Sequence, residues 1–480
     1  DPKADYRGTH GGKQGVIKTG PEYLTVFEGA TGKELSTVAY EPSRNILSDS
    51  AWGDSFGNRC ERYLACVAYL DGKKPSLVMC RGYYTAAYLC AWDFDGKELK
   101  KRWLHASTTK GEGAYGEGAH SLTVGDVDGD GCDEIVYGAC CIDHDGSVLY
   151  RTGLGHGDAL HLGDFIPDRE GLEVFMVHEE KSAAYGFEMR DAQTGEILSG
   201  RKMGSDIGRG LCADIDSLSR GAEYWSLAKF NMTSDGKYNS ITFDCNGDSI
   251  STKRPSVNFR TYWTGNLSEE LQEKGVISQW VNKTSSCTTV TDFVSTYGCG
   301  VNLIKDTPSL QADILGDWRE ECIYYDEKTK SNLMIFSTPF TSPYRVPCLM
   351  HDHIYRMSIC WQNVAYNQPP HLGYYLRDYV KYQQSNPTGI SRPVLTDEQS
   401  NVEIPFTLIS DGIVIRYTDM DNASSSIRVY SLDGLCVYHV TNRLQGSGEI
   451  KLEGLERLKK GVYLLSVVVD GVKTVRKIIQ

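Results

Sequence analysis

Five times along this chain an acidic turn feeds straight into a strand-like run: YLDGKKPSLVM, GDVDGDGCDEIVYG, GDFIPDREGLEVFMV, ADIDSLSRGAEYWSL and ADILGDWREECIYY. Between them recur hairpins with a polar turn ending in glycine, in LTVFEGATGKELSTVAY, LCAWDFDGKELKKRW, CCIDHDGSVLYRT and YGFEMRDAQTGEILSGRKM, the turn glycines being Gly32, Gly96, Gly146 and Gly195. A unit of about four short strands repeating every ~40 to 50 residues cannot bury its own faces and must stack on copies of itself, as propeller blades do. The expected fold is all-β, a β-propeller followed by a small antiparallel β-sandwich. An array of sandwiches competes, but sandwich strands do not usually repeat one acidic loop at the head of every unit. A helix is expected only at LSEELQEK after Gly265, and a buried strand in PCLMHDHIYRMSICW.

The acidic turns carry a second message. In GDVDGDGCDEIVYG the side chains of Asp126, Asp128, Asp130 and Glu134 fall at alternate or near-alternate positions, Cys132 offers a carbonyl, and Gly129 and Gly131 permit the tight turn. That arrangement aims several oxygens at one hard cation, calcium. No helix leaves the loop, because EIVYG reads as a strand, so this is not an EF-hand. Asp313, Asp317 and Glu321 take the first, fifth and ninth positions of a similar loop; Asp214 with Asp216 begins another, and Asp164 with Asp168 stands in a third. Calcium held in this way staples blades together, so several ions are expected.

Histidine changes the chemistry in the next repeat. His120, His156 and His161 lie near the starts of successive units, with Asp158 and Glu179 close in sequence. Imidazole is uncommon among purely structural calcium ligands, so these residues point to a mixed metal site at a functional mouth; a buried polar network is the other reading. Arg209 and Lys305 are cations beside acidic turns, either site residues or solvated surface charges. The loop Tyr366, Asn367, Gln368, Pro369, Pro370, His371 has aromatic faces and amides that suit sugars, whereas Trp361 and Tyr355 read equally well as core.

Composition narrows the partners. A net charge of −13 over 480 residues, with no basic stripe, argues against nucleic acid. No apolar run approaches the ~18 residues of a membrane span. Of 15 cysteines, Cys66, Cys80, Cys90, Cys140, Cys141 and Cys322 sit in or beside apolar strands and read as buried free thiols. Asp1 opens the chain without methionine or signal region, so an export signal is either already removed or was never included. After Ser385 the texture turns polar and proline-bearing, placing a propeller domain at 1–385, a linker at 386–403 and a β module at 404–480.

The segments GDSFGNRCERYLACVAYLDGKKPSLVMCRGYY, GEGAHSLTVGDVDGDG, GHGDALHLGDF, TPSLQADILGDWREE and HDHIYRMSICWQNVAYNQPPHLGYYL together resemble the rhamnogalacturonan lyases of polysaccharide lyase family 11, over about residues 5 to 380. The resemblance implies an eight-bladed, calcium-bearing propeller that acts on rhamnogalacturonan as a secreted or cell-surface monomer. It would cleave the α-1,4 bond between rhamnose and galacturonate by β-elimination. It places active-site calcium ligands on His120, His156, Asp158 and Glu179, catalytic or uronate-binding cations on Arg209 and Lys305, and a sugar-contacting tyrosine on Tyr366. KKGVYLLSVVVDGVKTVRK resembles the C-terminal sorting domains of type IX secretion cargo, which implies the secretion machinery as a partner.

Such an elimination removes a weakly acidic proton from C5 of a uronate, so the adjacent carboxylate must be neutralised and a base supplied. Lys305 is expected to be that base, Tyr366 its alternative or the acid toward the leaving oxygen, and Arg209 the carboxylate clamp. Two departures stand out. The family's polar run before TPSLQAD is replaced by Asn302 and Lys305 flanking Leu303 and Ile304, which weakens the expected contact of Asn302 with rhamnose. The family's chains also extend upstream of DYRGTH, and fewer than eight blade units are countable here. A noncatalytic calcium-binding propeller for carbohydrate or protein adhesion is the alternative function.

Overall fold

The computed structural model describes residues 4–385 except 233, 235, 237, 303 and 304, and beyond them the strands within 406–409, 412–431, 436–452, 462–469 and 472–479. The chain divides into two compact units, residues 1–382 and 383–480. The linker expected at 386–403 lies outside the described residues.

In the first unit the repeats become six successive four-stranded antiparallel sheets. Sheet I holds Ala65–Ala68, Ser76–Arg81, Ala87–Phe94 and Leu99–Ser107; sheet II, Gly118–Gly125, Glu134–Gly138, Cys140–Ile142 and Val148–Arg151; sheet III, Leu160–Gly163, Glu173–Val177, Phe187–Asp191 and Ile197–Arg201. Sheet IV holds Gly210–Ala213, Glu223–Ser226, Thr242–Phe243 and Ser249–Ser251; sheet V, Phe259–Thr261, Glu270–Glu273, Val276–Val281 and Ser286–Asp292; sheet VI, Cys299–Gly300, Leu310–Ala312, Glu321–Asp326 and Leu333–Phe336. Two hairpins, Arg7–His10 with Lys13–Ile17 and Tyr23–Phe27 with Glu34–Ala39, precede them. The first strands of sheets I, II and III lie side by side. Their contact packs Leu64, Val78, Leu89, Leu122, Val124 and Ile135 into one core, and the six cysteines named above are buried. Among the described residues every cysteine is free.

The acidic turns are built by one recurring device. The strand that leaves each of these turns begins with a glutamate whose carboxylate turns back onto the N–H groups of the turn. Glu173 accepts from Phe165 and Ile166, each at 2.9 Å, Glu223 from Ile215 and Asp216, each at 2.9 Å, and Glu321 from Ile314 and Leu315 at 2.8 and 2.9 Å. Glu270 does the same for Trp263 and Thr264, and Glu134 for Val127. Each loop thereby satisfies amides that would otherwise be buried unpaired.

Two local expectations are corrected. LSEELQEK is not a helix: Glu270–Glu273 is a strand of sheet V, its polar side chains buried with partners, Glu270 on the loop amides and Gln272 donating to the Tyr324 hydroxyl at 2.7 Å. Tertiary partners here override the helix propensity of a Glu-rich run. PCLMHDHIYRMSICW is not a strand: His353–Trp361 is an α-helix capped by Asp352, which accepts from the Tyr355 N–H at 2.9 Å. Its buried Ile354, Met357, Ser358 and Trp361 follow helical spacing, and it packs on the first strands of sheets I and II. Tyr355 reaches sheet VI, donating to Glu320 at 2.7 Å and accepting from the Asp313 N–H at 3.0 Å. One helix thus ties the first and last sheets of the series.

In the second unit the described residues beyond 385 are all strand. The five strands form one continuous antiparallel sheet, with Gly412–Ser431 pairing Phe406–Ile409, Cys436–Leu452 and Val462–Val469, and the last of these pairing Val472–Ile479. Register shifts between Tyr417 and Ala423 let one long strand serve both halves around a core of Ile415, Ile427, Val429, Leu444 and Leu465.

Candidate active site

In a meander of antiparallel strands, the start of strand one and the end of strand two fall at the same end of the sheet. That end collects the site. Tyr83 and Tyr84 follow the second strand of sheet I, His156 and Asp158 precede the first strand of sheet III, and Glu179 follows its second. Arg209 and Asn258 immediately precede the first strands of sheets IV and V, and His120 lies in the first strand of sheet II. Gly157 allows His156 and Asp158 to approach the neighbouring backbone: a Cβ there would lie 1.7 Å from the Val177 carbonyl oxygen.

His120, His156, Asp158 and Glu179 each offer one ligand atom, all within 4.8 Å of one another. His156 Nδ1 lies 2.5 Å from the Gly118 carbonyl, so it carries the proton and donates; Nε2 is left with its lone pair, buried and without a partner. Asp158 Oδ1 is likewise buried and unpartnered, 3.3 Å from His120 Nε2. Hydroxyls of Tyr83 and Tyr84 stand 2.9 Å from the two His120 nitrogens. Burial, with His156 beside it, pushes His120 down to about 3, and burial takes His156 to about 4, so both rings are neutral at pH 7. Burial, then the hydrogen bond to Asp158, pushes Glu179 up to about 7. Neutral imidazoles, crowded carboxylates and orphaned buried ligand atoms fit a divalent cation.

Around this cluster stand the cations and the tyrosine. Lys305 Nζ lies 3.3 Å from Asp158 Oδ2 and 4.6 Å from the centroid of the Tyr366 ring, which stacks on His120 at 4.2 Å. Asn302 accepts from the Lys305 N–H at 3.3 Å, so it shapes the turn that carries the lysine. Arg209 is buried, donating to the Asp158 carbonyl at 3.0 Å and to Asn258 Oδ1 at 2.9 Å; burial lowers it to about 10, and it stays a cation. Neither is a solvated surface charge. A cavity of about 530 Å³ lined by Tyr84, Lys110, His156 and Glu179 opens from the cluster.

The acidic loops behave differently from one another. Asp126, Asp128 and Glu134 converge, and burial with the three neighbouring aspartates pushes Glu134 up to about 8. Asp130 instead approaches Cys132 and His144, a histidine that sequence reasoning passed over because it sits one hairpin later. Among the described residues no cluster of three ligands includes the remaining candidates. Asp164 accepts from the Tyr375 N–H, Asp168 pairs with Arg220, Asp214 with Arg377, and Asp216 accepts from Asn282. Asp313 accepts from the Asp317, Trp318 and Leu349 amides, Asp317 pairs with Arg319, and Glu321 caps its loop. His161 is not with the ligands; it is buried against His371, 3.0 Å away. Tyr83, Tyr84 and Asn258 were missed; RGYY was visible, but nothing in sequence separates it from core.

Residues 1–386, most of the chain, match the family described as Rhamnogalacturonan lyase family 11, C-terminal domain. The chain belongs to rhamnogalacturonan lyase family 11. It is similar to the rhamnogalacturonan exolyase YesX of Bacillus subtilis (strain 168), 48% identical over 391 residues that make up 79% of this chain and 62% of YesX. The rhamnogalacturonan endolyase YesW of the same organism is 47% identical over 382 residues, 79% of this chain and 58% of YesW. The solved Bacillus licheniformis rhamnogalacturonan lyase PL11 superposes with a TM-score of 0.72 at 48% identity, covering 78% of this chain and 61% of that one. This family 11 chain therefore spans about three fifths of the length of the relatives it matches. Residues 409–480 match a secretion system C-terminal sorting domain.

Proposed function

We propose that this chain is a calcium-dependent rhamnogalacturonan lyase that cleaves the α-1,4 bond between rhamnose and galacturonate by β-elimination. The observation that carries this reading is the convergence of His120, His156, Asp158 and Glu179 with Arg209, Lys305 and Tyr366 at one end of the sheets. Six four-stranded sheets in succession, with the first strands of sheets I, II and III side by side, support a β-propeller, short of the eight blades expected of the family. Asp126, Asp128 and Glu134 support a calcium staple at its rim. The terminal sorting domain supports export to the medium or the cell surface through secretion machinery.

Calcium held by His120, His156, Asp158 and Glu179 would supply positive charge for the uronate carboxylate and the enolate-like charge that grows as C5–H breaks. Arg209 adds fixed positive charge from beneath, its fork held by Asn258 and the Asp158 carbonyl. Lys305 Nζ, as the neutral amine, is placed to take the C5 proton and become the ammonium, with Asp158 and the Tyr366 ring fixing the end of a flexible side chain. Tyr366 is raised by burial and by Asp158, so its phenol keeps its proton and suits donation to the leaving oxygen. Mass spectrometry of the products tests the reaction class. Fragments each ending in a 4,5-unsaturated uronate are expected; fragments heavier by one water would mean hydrolysis and overturn it.

A further inference from the structure

A second cavity opens on the same end of the molecule, one sheet beyond the ligand cluster. It measures about 600 Å³ and is bounded by Asp206–Gly208, between sheets III and IV, by Leu227 and Lys229 after the second strand of sheet IV, and by Arg254, between sheets IV and V. These are the loop positions that build the reaction site in sheets I to III. The two places share a wall: Arg209 accepts from the Leu227 N–H at 2.8 Å, and its guanidinium holds Asn258, which donates to Glu273 at 2.7 Å. The cavity therefore neighbours the cluster through Arg209.

Its chemistry is cationic and half apolar. Arg254 is partly buried, its Nε enclosed and without a partner, and one terminal nitrogen donates to the Pro255 carbonyl at 3.0 Å. Glu273 is the carboxylate that acts on it through charge, and it is itself engaged by Asn258. Lys229 stands on the exposed rim with its ammonium 5.6 Å from the Tyr238 ring, which is 55% exposed, and Leu227 is 40% exposed beside them. Among the described residues Asp206 is the one carboxylate in the lining, and the Gly208 N–H holds it at 2.8 Å. A partly buried guanidinium, an ammonium and an open aromatic face lining one cavity fit a sugar that carries a carboxylate.

We infer that this cavity is a second uronate subsite, in which Arg254 and Lys229 hold the carboxylate of the galacturonate two residues away from the one at the reaction site. The inference rests on the proposed lyase reading, because an alternating rhamnose and galacturonate chain carries its next carboxylate two residues from the one at the reaction site. The subsite gives affinity to long chains and leaves the chemical step alone.

Isothermal titration of the full chain with calcium tests this, comparing a rhamnogalacturonan oligosaccharide that carries three uronates with one that carries a single uronate. The longer ligand should bind about tenfold tighter, and Arg254→Ala or Lys229→Ala should each remove most of that advantage while leaving the short ligand's Kd unchanged. A length advantage that survives in both variants overturns the subsite. Should Arg254→Ala melt early, Lys229→Ala on the exposed rim decides alone. A chain that shows the length effect and its loss in the variants, yet releases no unsaturated product, keeps the subsite and sinks the catalytic reading. Failure of the folded wild type to bind either oligosaccharide overturns both.

Discussion

At the scale of single residues, the site separates groups that hold from groups that react. Lys305, the proposed base, is a partly exposed side chain, so Lys305→Ala should lower kcat about a hundredfold or more with an unchanged melting temperature. Turnover within a few-fold of wild type would remove it as the base. Arg209 is a holding group; Arg209→Lys keeps the charge but loses the fork to Asn258 and Asp158, and should lower kcat/KM at least about tenfold. The buried pair of His161 and His371 sets an acid limit on stability. Burial pushes His161 down to about 3 and His371 well below its ordinary value, so the unfolded chain binds more protons below about pH 6.5. The pair's contribution is present above that pH and is lost as the pH falls toward the folded values. Each imidazole costs up to ~1.4 kcal/mol per pH unit. Melting followed from pH 7 downward should show this loss, with a shallower slope in His371→Leu; equal slopes would contradict it. His120, His156, Asp158 and Glu179 were legible in sequence because ligand types at that density need a purpose beyond folding. The burial of Arg209 was not legible, since it depends on Asn258, 49 residues later.

At the scale of elements, the loop-capping glutamates show where sequence reading ran short. Acidic turns invited one explanation, calcium, for all of them. The structure gives Glu173, Glu223, Glu270 and Glu321 a backbone role, and leaves Asp126, Asp128 and Glu134 as the acidic loop with three converging carboxylates. Glu223→Ala strands two enclosed amides and should destabilise the first unit by about 2 kcal/mol or more, read from urea unfolding, whereas Glu223→Gln, which keeps one acceptor oxygen, should cost less. Equal losses would place the effect in charge instead of in the amides. Strand and helix identities failed where partners decided them. Gln272 and Glu270 are strand residues because Tyr324 and the loop amides receive them. His353–Trp361 is a helix whose signal was present, in the Asp352 cap and the spacing of its buried side chains.

At the scale of the whole molecule, the repeats, the change of texture after Ser385 and the terminal alternation were all readable, because they depend on period and composition. The tie that the Tyr355 helix makes between the first and last sheets was not, since it joins segments far apart in sequence. Every residue assigned a role in cleavage lies within 1–382, so a chain ending after Ser385 should cleave with kinetics within about twofold of the full chain. A large loss would give the terminal unit a part in catalysis. The central claim is that a calcium-dependent elimination takes place at His120, His156, Asp158 and Glu179. Its most direct test is the ultraviolet absorbance of unsaturated uronate during incubation of the full chain with rhamnogalacturonan, with calcium and again with a chelator. Absorbance that rises with calcium, stops on chelation and resumes on calcium addition is predicted. A folded chain that produces no absorbance, or the same rise with the chelator present, would contradict it.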